Sequence, residues 1–245
     1  MDTLFIVMPA YNEEMNIRAV VEQWYPVLSC ASKESRLVIA DEGSKDRTHA
    51  ILEEMRAEGF LQLEILANEN QYHGPKLIAL YKYAIREGAD FIFQTDSDGQ
   101  TNPGEFRAFW EERENYDGIF GNRTRRGDGK GRAFIEKVVC LLLRSCFGVR
   151  IPDANAPFRL LRADVLEKYI DRMPGDYNLP NIMISTFFVY YKERTAFREI
   201  SFKSRRAGVN SVNLPRIIRI GWGALGDFRK FKQQMKDDKD ERAGR

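Results

Sequence analysis

The feature that most constrains this chain is the alternation of short apolar runs and amphipathic stretches through its first hundred residues. Residues 3–8 (Thr-Leu-Phe-Ile-Val-Met), stopped by Pro9, read as a buried strand. A helix is predicted from about Asn12, with Glu13 and Glu14 in its first turn, to about Leu28. Residues 36–40 form a second apolar run ending at Asp41-Glu42-Gly43-Ser44, and the helix after it runs to about Glu58, where Gly59 stops it. Residues 61–66 are a third strand. Pro75 opens a helix along which Leu77, Ile78, Tyr81, Ala84 and Ile85 recur at spacings of three and four. Gly88 ends that helix, and residues 90–95 are a fourth strand. This βαβαβαβ order predicts an α/β fold with a Rossmann-like, mostly parallel sheet flanked by helices. In such sheets ligands bind beyond the carboxyl ends of the strands. The polar clusters 9–13, 41–44 and 96–100 fall at those places.

The second half is less regular. A short strand over 117–121 leads into a predicted loop, 122–132, that holds five basic residues and three glycines. Ile135, Val138, Val139, Leu142, Leu143, Cys146 and Phe147 follow the pattern of an amphipathic helix. Residues 158–161 read as a strand, 163–170 as a helix and 195–203 as a strand; 178–191 is apolar and ambiguous. Residues 205–213 read as a loop, Pro215 opens a last helix, and residues from Lys236 onward are expected to be a disordered charged tail.

Charge sharpens the picture. The net charge is +2, but residues 1–100 carry −8 and the remainder +10. An acidic first part and a basic second part suggest a metal or base site followed by an anion site. The longest apolar run, residues 138–143, is far short of the ~20 residues of a membrane span. No secretory leader pattern opens the sequence, and three cysteines make neither a disulfide framework nor a zinc site. The expected setting is reducing and cytoplasmic. Nothing resembles a nucleic-acid-binding module, so no nucleic-acid partner is expected. A G-x-G-x-x-G turn after the first strand, a P-loop and a G-x-S-x-G elbow are all missing, which sets aside dinucleotide, P-loop and serine-hydrolase chemistry.

Several residues can carry chemistry. Asp96 and Asp98 alternate at the end of a strand, where two carboxylates can converge on one hard divalent cation. An Asp-rich turn capping the next helix is the plainer account of the same residues. Asp41 and Glu42 end another buried strand, where a carboxylate can accept a hydrogen bond from a base N–H. Arg205-Arg206 and the basic loop are candidate anion binders, because guanidinium forks match phosphate oxygens. Asp153, in a turn bracketed by Pro152 and Pro157, is a candidate general base or a turn residue.

In this order the clusters resemble the family 2 glycosyltransferases, whose nucleotide-binding fold is called GT-A. The matching segments are Pro9-Ala10-Tyr11-Asn12-Glu13 and Asp41-Glu42-Gly43-Ser44-Lys45-Asp46-Arg47-Thr48, with Glu42 where the family has Asp. They continue with Asp96-Ser97-Asp98 followed by Gln100, then Asp153-Ala154-Asn155-Ala156-Pro157-Phe158-Arg159 with Pro157 in place of glycine, and Arg205-Arg206-Ala207-Gly208-Val209-Asn210-Ser211. The likeness is greatest to the dolichol-phosphate mannosyltransferase-like branch of polyprenyl-phosphate sugar synthases, and spans roughly residues 3–211. The family's N-x-G-K-G segment is replaced by Asn70-Gln71-Tyr72-His73-Gly74-Pro75-Lys76.

The resemblance implies one GT-A domain over 1–235: a nucleotide-binding half (1–100), an acceptor half (101–213) and a C-terminal helix (214–235), then the tail 236–245. It implies an inverting, metal-dependent transferase that moves a sugar from a UDP- or GDP-linked donor to a glycan or polyprenyl-linked acceptor in cell-surface polysaccharide or glycolipid synthesis. Pro9, Tyr11, Glu13, Asp41 and Asp96 would line the nucleotide. Asp98 with Asp96 would hold Mg2+ or Mn2+, Arg205 and Arg206 the diphosphate, and Asp153 would face the acceptor as catalytic base. The protein would be cytoplasmic, with peripheral contact at the inner face of a membrane; the 135–147 helix and the basic segment 215–232 are the candidates for that contact, with packing into the core as the alternative account of both. Two alternatives stand beside this: a polyprenyl-phosphate sugar synthase, whose phosphate nucleophile needs no base, and a non-catalytic nucleotide-sugar binding protein.

Overall fold

In the computed structural model, which describes residues 1–41, 43–67, 72–127, 129–204 and 214–243, the first strand, β1 (Leu4–Pro9), is buried along its whole length. Alternate side chains point to opposite faces of a strand, so a strand buried on both faces must be apolar throughout. Phe5 and Val7 enter one hydrophobic cluster, and Leu4, Ile6 and Met8 the other. Parallel to β1 run β2 (Arg36–Ala40) and β4 (Phe91–Thr95) on its two sides, and β3 (Leu63–Leu66) lies beyond β2. Past β4 come β6 (Phe158–Arg162), antiparallel, then β5 (Gly118–Arg126), antiparallel to β6, and β7 (Thr195–Phe202), parallel to β5. The seven-stranded order is β3-β2-β1-β4-β6-β5-β7, the mostly parallel α/β arrangement expected.

Helices cover both faces. On one side α1 (Ile17–Trp24), α2 (Thr48–Ala57) and α4 (Phe106–Glu111) contribute Ile17, Val21, Trp24, Leu52, Met55, Phe106 and Phe109 to a core shared with Phe93 and Phe158. On the other lie α3 (His73–Arg86), α5 (Lys130–Phe147), α6 (Ala163–Ile170), α7 (Pro180–Tyr190) and α8 (Leu214–Ala243). The ambiguous 178–191 stretch is α7. It is apolar around its circumference because it is buried among other helices.

Three local expectations are corrected. The first helix starts at Ile17, not Asn12. Asn12 has φ 55°, a left-handed conformation that cannot begin a regular helix, and the N–H groups of residues 12–14 are tied to Ser44, Thr48 and Asp46 of the neighbouring loop. That helix also stops at Trp24, because Pro26 has no N–H for the ladder; a 3-10 turn, Tyr25–Cys30, follows. Part of the predicted basic loop is strand, since β5 runs to Arg126 against Phe202 of β7, with an irregularity between Arg123 and Arg125. Finally, α8 continues through Ala243 into the stretch expected to be a disordered tail. Its buried Ala224, Phe228, Phe231 and Met235 recur at helical spacing against the core, and Asp238 bonds Arg172 and Tyr191.

Candidate functional site

Two loops at the carboxyl ends of β1 and β2 are laced into one wall. Ser44 Oγ donates to Asp41 Oδ1 and accepts from Asn12 N–H. Asn12 Oδ1 accepts from Lys45 N–H at 2.7 Å, Glu13 N–H donates to Thr48 Oγ1 at 2.8 Å, and Arg47 N–H donates to Glu14. Much of this pair of sequence clusters is therefore scaffold. Asp41 is what the scaffold presents. Its side chain is fully buried, its Oδ2 accepts no hydrogen bond from the described residues, and His49 Nδ1 lies 3.6 Å from that oxygen. Burial raises the Asp41 pKa against the opposing pull of Ser44, Lys76 and His49. A buried acceptor without a partner is costly, and a ligand N–H would satisfy it. Glu42 lies outside the described residues.

Pro9, Tyr11, Glu13 and Lys76 complete this wall. Pro9 O accepts from Ser97 Oγ at 2.8 Å, which ties β1 to the loop after β4. Tyr11 is 38 % exposed, with its ring below the Lys76 ammonium at 5.5 Å. Lys76, in the first turn of α3, is buried and donates to Ala10 O at 2.5 Å. Glu13 is buried against Asn16 at 2.8 Å. Lys76 is thus a member of the Asp41 wall, a placement that its altered sequence context did not disclose.

Asp96 and Asp98 leave the end of β4 beside this wall. Asp96 Oδ1 meets His73 Nε2 at 3.2 Å and Gln94 Nε2 at 3.3 Å; Asp98 Oδ1 accepts from Gln100 N–H at 3.1 Å. Among the described residues no group of three or more His, Cys, Asp or Glu gathers to cage a metal. The donor set still suits magnesium or manganese. Such ions take one or two carboxylates and fill their remaining positions with water and substrate phosphate oxygens. Gln100 does more than the sequence suggested. Its side chain donates to Lys203 O at 2.6 Å, and its carbonyl accepts Lys203 N–H at 2.9 Å. The aspartate loop is therefore clipped to the chain two residues before Arg205. Arg205 and Arg206 themselves lie outside the described residues.

Asp153 sits across β4 and β6, in the turn that leads into β6. It is 3 % exposed, and both carboxylate oxygens are held by Arg123: Nε to Oδ2 at 2.7 Å and Nη2 to Oδ1 at 2.7 Å, with Arg123 N–H at 3.1 Å. Glu136 of α5 completes the cluster. Its Oε1 accepts the N–H groups of Ala154 at 2.8 Å and Asn155 at 3.3 Å, and its Oε2 lies 3.5 Å from Arg123. Burial, then the neighbouring Asp153, raises the Glu136 pKa. Cys140, one turn along, is pushed up to about 12, chiefly by burial. Arg159, fully buried on β6, clamps the far side of the turn through Ala156 O at 2.8 Å and Asn181 O at 2.8 Å. Sequence reading missed Glu136 and this role of Arg123. The available signal was a lone acid on the inner stripe of an otherwise apolar and basic helix.

The arrangement is a polar floor at the ends of β1, β2 and β4, faced by a stiff carboxylate–guanidinium cluster at the entry of β6. Residues 5–170 match the family model described as glycosyl transferase family 2. The chain is 22 % identical over 222 residues to an undecaprenyl-phosphate 4-deoxy-4-formamido-L-arabinose transferase of Pectobacterium carotovorum, covering 90 % of this chain and 65 % of that protein. It is 26 % identical over 226 residues to the protein of the same name in Shewanella sediminis, covering 91 % and 66 %. The chain thus spans just under two thirds of the length of these relatives. Its fold is similar to glucosyl-3-phosphoglycerate synthase of Mycobacterium tuberculosis, solved with Mn2+ and UDP-glucose (TM-score 0.63, 16 % identity, 91 % of this chain and 77 % of that one). It is also similar to S. aureus TarS solved with UDP-GlcNAc (TM-score 0.58, 19 % identity, 86 % and 62 %).

Proposed function

The chain belongs to glycosyl transferase family 2, and on that premise we propose that it transfers a sugar, with inversion, from a nucleotide-diphosphate sugar to a polyprenyl phosphate. The observation that carries the acceptor is the clamp on Asp153. A hydroxyl acceptor must give its proton to a base on the acceptor side, and both oxygens of Asp153 are engaged by Arg123. A phosphate oxygen is already ionised and needs no base. The names of the relatives, which are undecaprenyl-phosphate sugar transferases, support the same choice.

In this reading Asp41 accepts a base N–H through its unpartnered oxygen, and Pro9, Tyr11 and Glu13 line the nucleoside with Lys76 behind them. UDP is the first nucleotide to test, because the solved neighbours hold UDP-sugars. Asp98 and Asp96 hold Mg2+ or Mn2+, which when bound neutralises charge on the diphosphate. Arg205 and Arg206 follow the Gln100–Lys203 clip and bind the departing diphosphate. Arg123, paired with Asp153 and flanked by Glu136, holds the acceptor-side turn rigid. The chain works as one GT-A domain at the cytoplasmic face of a membrane.

The test is a transfer assay with the purified chain, a panel of UDP- and GDP-sugars, manganese, and either undecaprenyl phosphate or hydroxyl acceptors of the alkyl-glycoside type. The expected product is a sugar-phosphate-lipid that forms only with metal and is lost both in EDTA and in Asp98→Ala. Transfer to hydroxyl acceptors alone would refute the acceptor assignment, and undiminished turnover in EDTA would refute the metal assignment.

A further inference from the structure

α5 carries a single acid, Glu136, and the fold turns it inward. Its side chain is 11 % exposed. Oε1 accepts the N–H groups of Ala154 and Asn155, so this oxygen caps the turn that carries Asp153. Oε2 faces Arg123 Nη2 at 3.5 Å, and that same nitrogen donates to Asp153 Oδ1 at 2.7 Å. Two carboxyl groups therefore meet one guanidinium inside the protein. The sharing is unequal. Both side-chain bonds from Arg123 to Asp153 have the 2.7 Å length of a charge-assisted pair, whereas 3.5 Å to Glu136 is too long for one.

We propose that Glu136 positions the acceptor turn as a neutral, protonated acid, and that an anionic acceptor is admitted while that proton is in place and repelled once it leaves. This deepens the lipid-phosphate reading given above and rests on it. Arg123 and Asp153 cancel each other, so an ionised Glu136 would leave a second buried carboxylate uncompensated, which is costly. Burial and the neighbouring Asp153 outweigh the pull of Arg123 and keep the proton on. A protonated carboxyl also fits the contacts. Its carbonyl oxygen, Oε1, accepts the two N–H groups, and its hydroxyl, at Oε2, is free to donate to Asp153; two carboxyls share a hydrogen bond only when one of them carries a proton. Around this cluster, the Cys140 thiol lies 3.6 Å from Oε1 on the same helix, is pushed up to about 12 and stays uncharged. Phe202 of β7 covers Arg123 with its ring, 5.1 Å from the guanidinium, and adds no charge. Arg159 of β6 lies across the turn, with its guanidinium on the carbonyls of Ala154, Ala156 and, from α7, Asn181. Arg132 stands one turn before Glu136, and Lys137 beside it is exposed.

The experiment follows transfer from a UDP-sugar to undecaprenyl phosphate in detergent by the full chain, Glu136→Gln and Glu136→Ala, from about pH 5 to about pH 9. Glutamine stays neutral and still offers Oε1 to the two N–H groups. The ratio of its acceptor kcat/KM to that of wild type is expected to rise about tenfold from the acid to the alkaline end, through KM, because wild type alone gains a negative charge there. The acceptor's own second ionisation falls in this range and affects both alike. Glu136→Ala strands both N–H groups, and its acceptor KM should stand about tenfold or more above wild type at the acid end, with UDP affinity unchanged. A ratio that does not move with pH, or a Glu136→Gln that behaves as Glu136→Ala does, would overturn the proposal. A second readout needs no acceptor. At about pH 6, where an ordinary glutamate is ionised, the infrared difference between wild type and Glu136→Gln should hold the C=O band of a protonated carboxyl, and its absence would overturn the proposal as well. Transfer to undecaprenyl phosphate with a level ratio removes this inference alone. The infrared band without any such transfer removes the acceptor reading, and this inference with it.

Discussion

Asp41 pays for its position: one of its oxygens is buried with no hydrogen-bond partner among the described residues. Burial holds its pKa above the ordinary 3.8. The folded chain therefore keeps this proton where the unfolded chain has lost it. The resulting stability is fully present below the unfolded value and disappears as pH rises through the folded one. Asp41→Asn should accordingly match wild type in denaturant titrations at about pH 4 and exceed it at about pH 7.5. Nucleotide affinity at neutral pH should fall about 10- to 100-fold, the worth of a hydrogen bond to a charged group. Calorimetry checks the second half, and an Asn variant that binds nucleotide normally would remove Asp41 from the site. Asp153 makes the contrasting case. Removing one partner of a buried ion pair costs about 3–5 kcal/mol, so Asp153→Asn should melt well below wild type. Its pH–rate profile should keep its shape, since the proposed phosphate acceptor needs no base. A loss of about 10²–10⁴-fold at unchanged melting temperature is the signature of a general base, and would restore that role to Asp153.

At the scale of elements, the start of α3 shows how tightly the donor wall is built. A Cβ at Gly74 would meet Tyr177 O and come within 2.6 Å of Asn178 Cα, both backbone atoms that cannot swing aside. Gly74→Ala should shift α3 away from the 177–178 segment and carry His73 and Lys76 with it. We expect a lower melting temperature together with weaker nucleotide binding, measured by thermal shift with and without UDP. The same scale shows what the residues disclose by themselves. β1, β2 and β4 were legible because each holds a short apolar or aromatic run closed by a proline or an acid, and Asp41, Asp96 and Asp98 were legible because they follow such runs. Residues 122–126 were not. They are polar, and the far half of β7, residues 199–202, makes them strand. Glu13 and Glu14 looked like the first turn of a helix, yet the left-handed Asn12, held by Ser44 and Lys45 of the neighbouring loop, moves the start to Ile17. Arg123 read as one of five interchangeable surface cations until the fold buried it on Asp153. Local pattern finds elements whose partners are generic, and fails where a distant segment supplies the hydrogen bonds.

At the scale of the molecule, α8 closes the core. Phe228 packs edge-on to Phe147 of α5 and Phe231 edge-on to Phe187 of α7, at 5.7 and 5.9 Å between ring centres. Phe228→Ala should cost about 3–5 kcal/mol, a fall of between about 6 and 20 °C in melting temperature for a chain of this size. Nucleotide binding measured well below the melt should survive, because α8 contributes no described side chain to the Asp41 wall. Unchanged melting would mean that α8 is not part of the folded core.

The reversal of strand direction between β4 and β6 has a further consequence. Gln94 and Arg159 are paired in register across that seam, and both are fully buried. Gln94 bonds Asp96 on one side, and Arg159 grips the 153–157 turn on the other. The separation between the two halves is thus fixed by the interstrand spacing of about 4.8 Å, and not by a loop. Such a seam makes the halves interchangeable parts. A different 122–157 segment, entering the sheet at the same register, would meet the same donor floor at the same distance. New acceptors are then open to evolution, or to a designer grafting segments between relatives, without disturbing how the nucleotide is held.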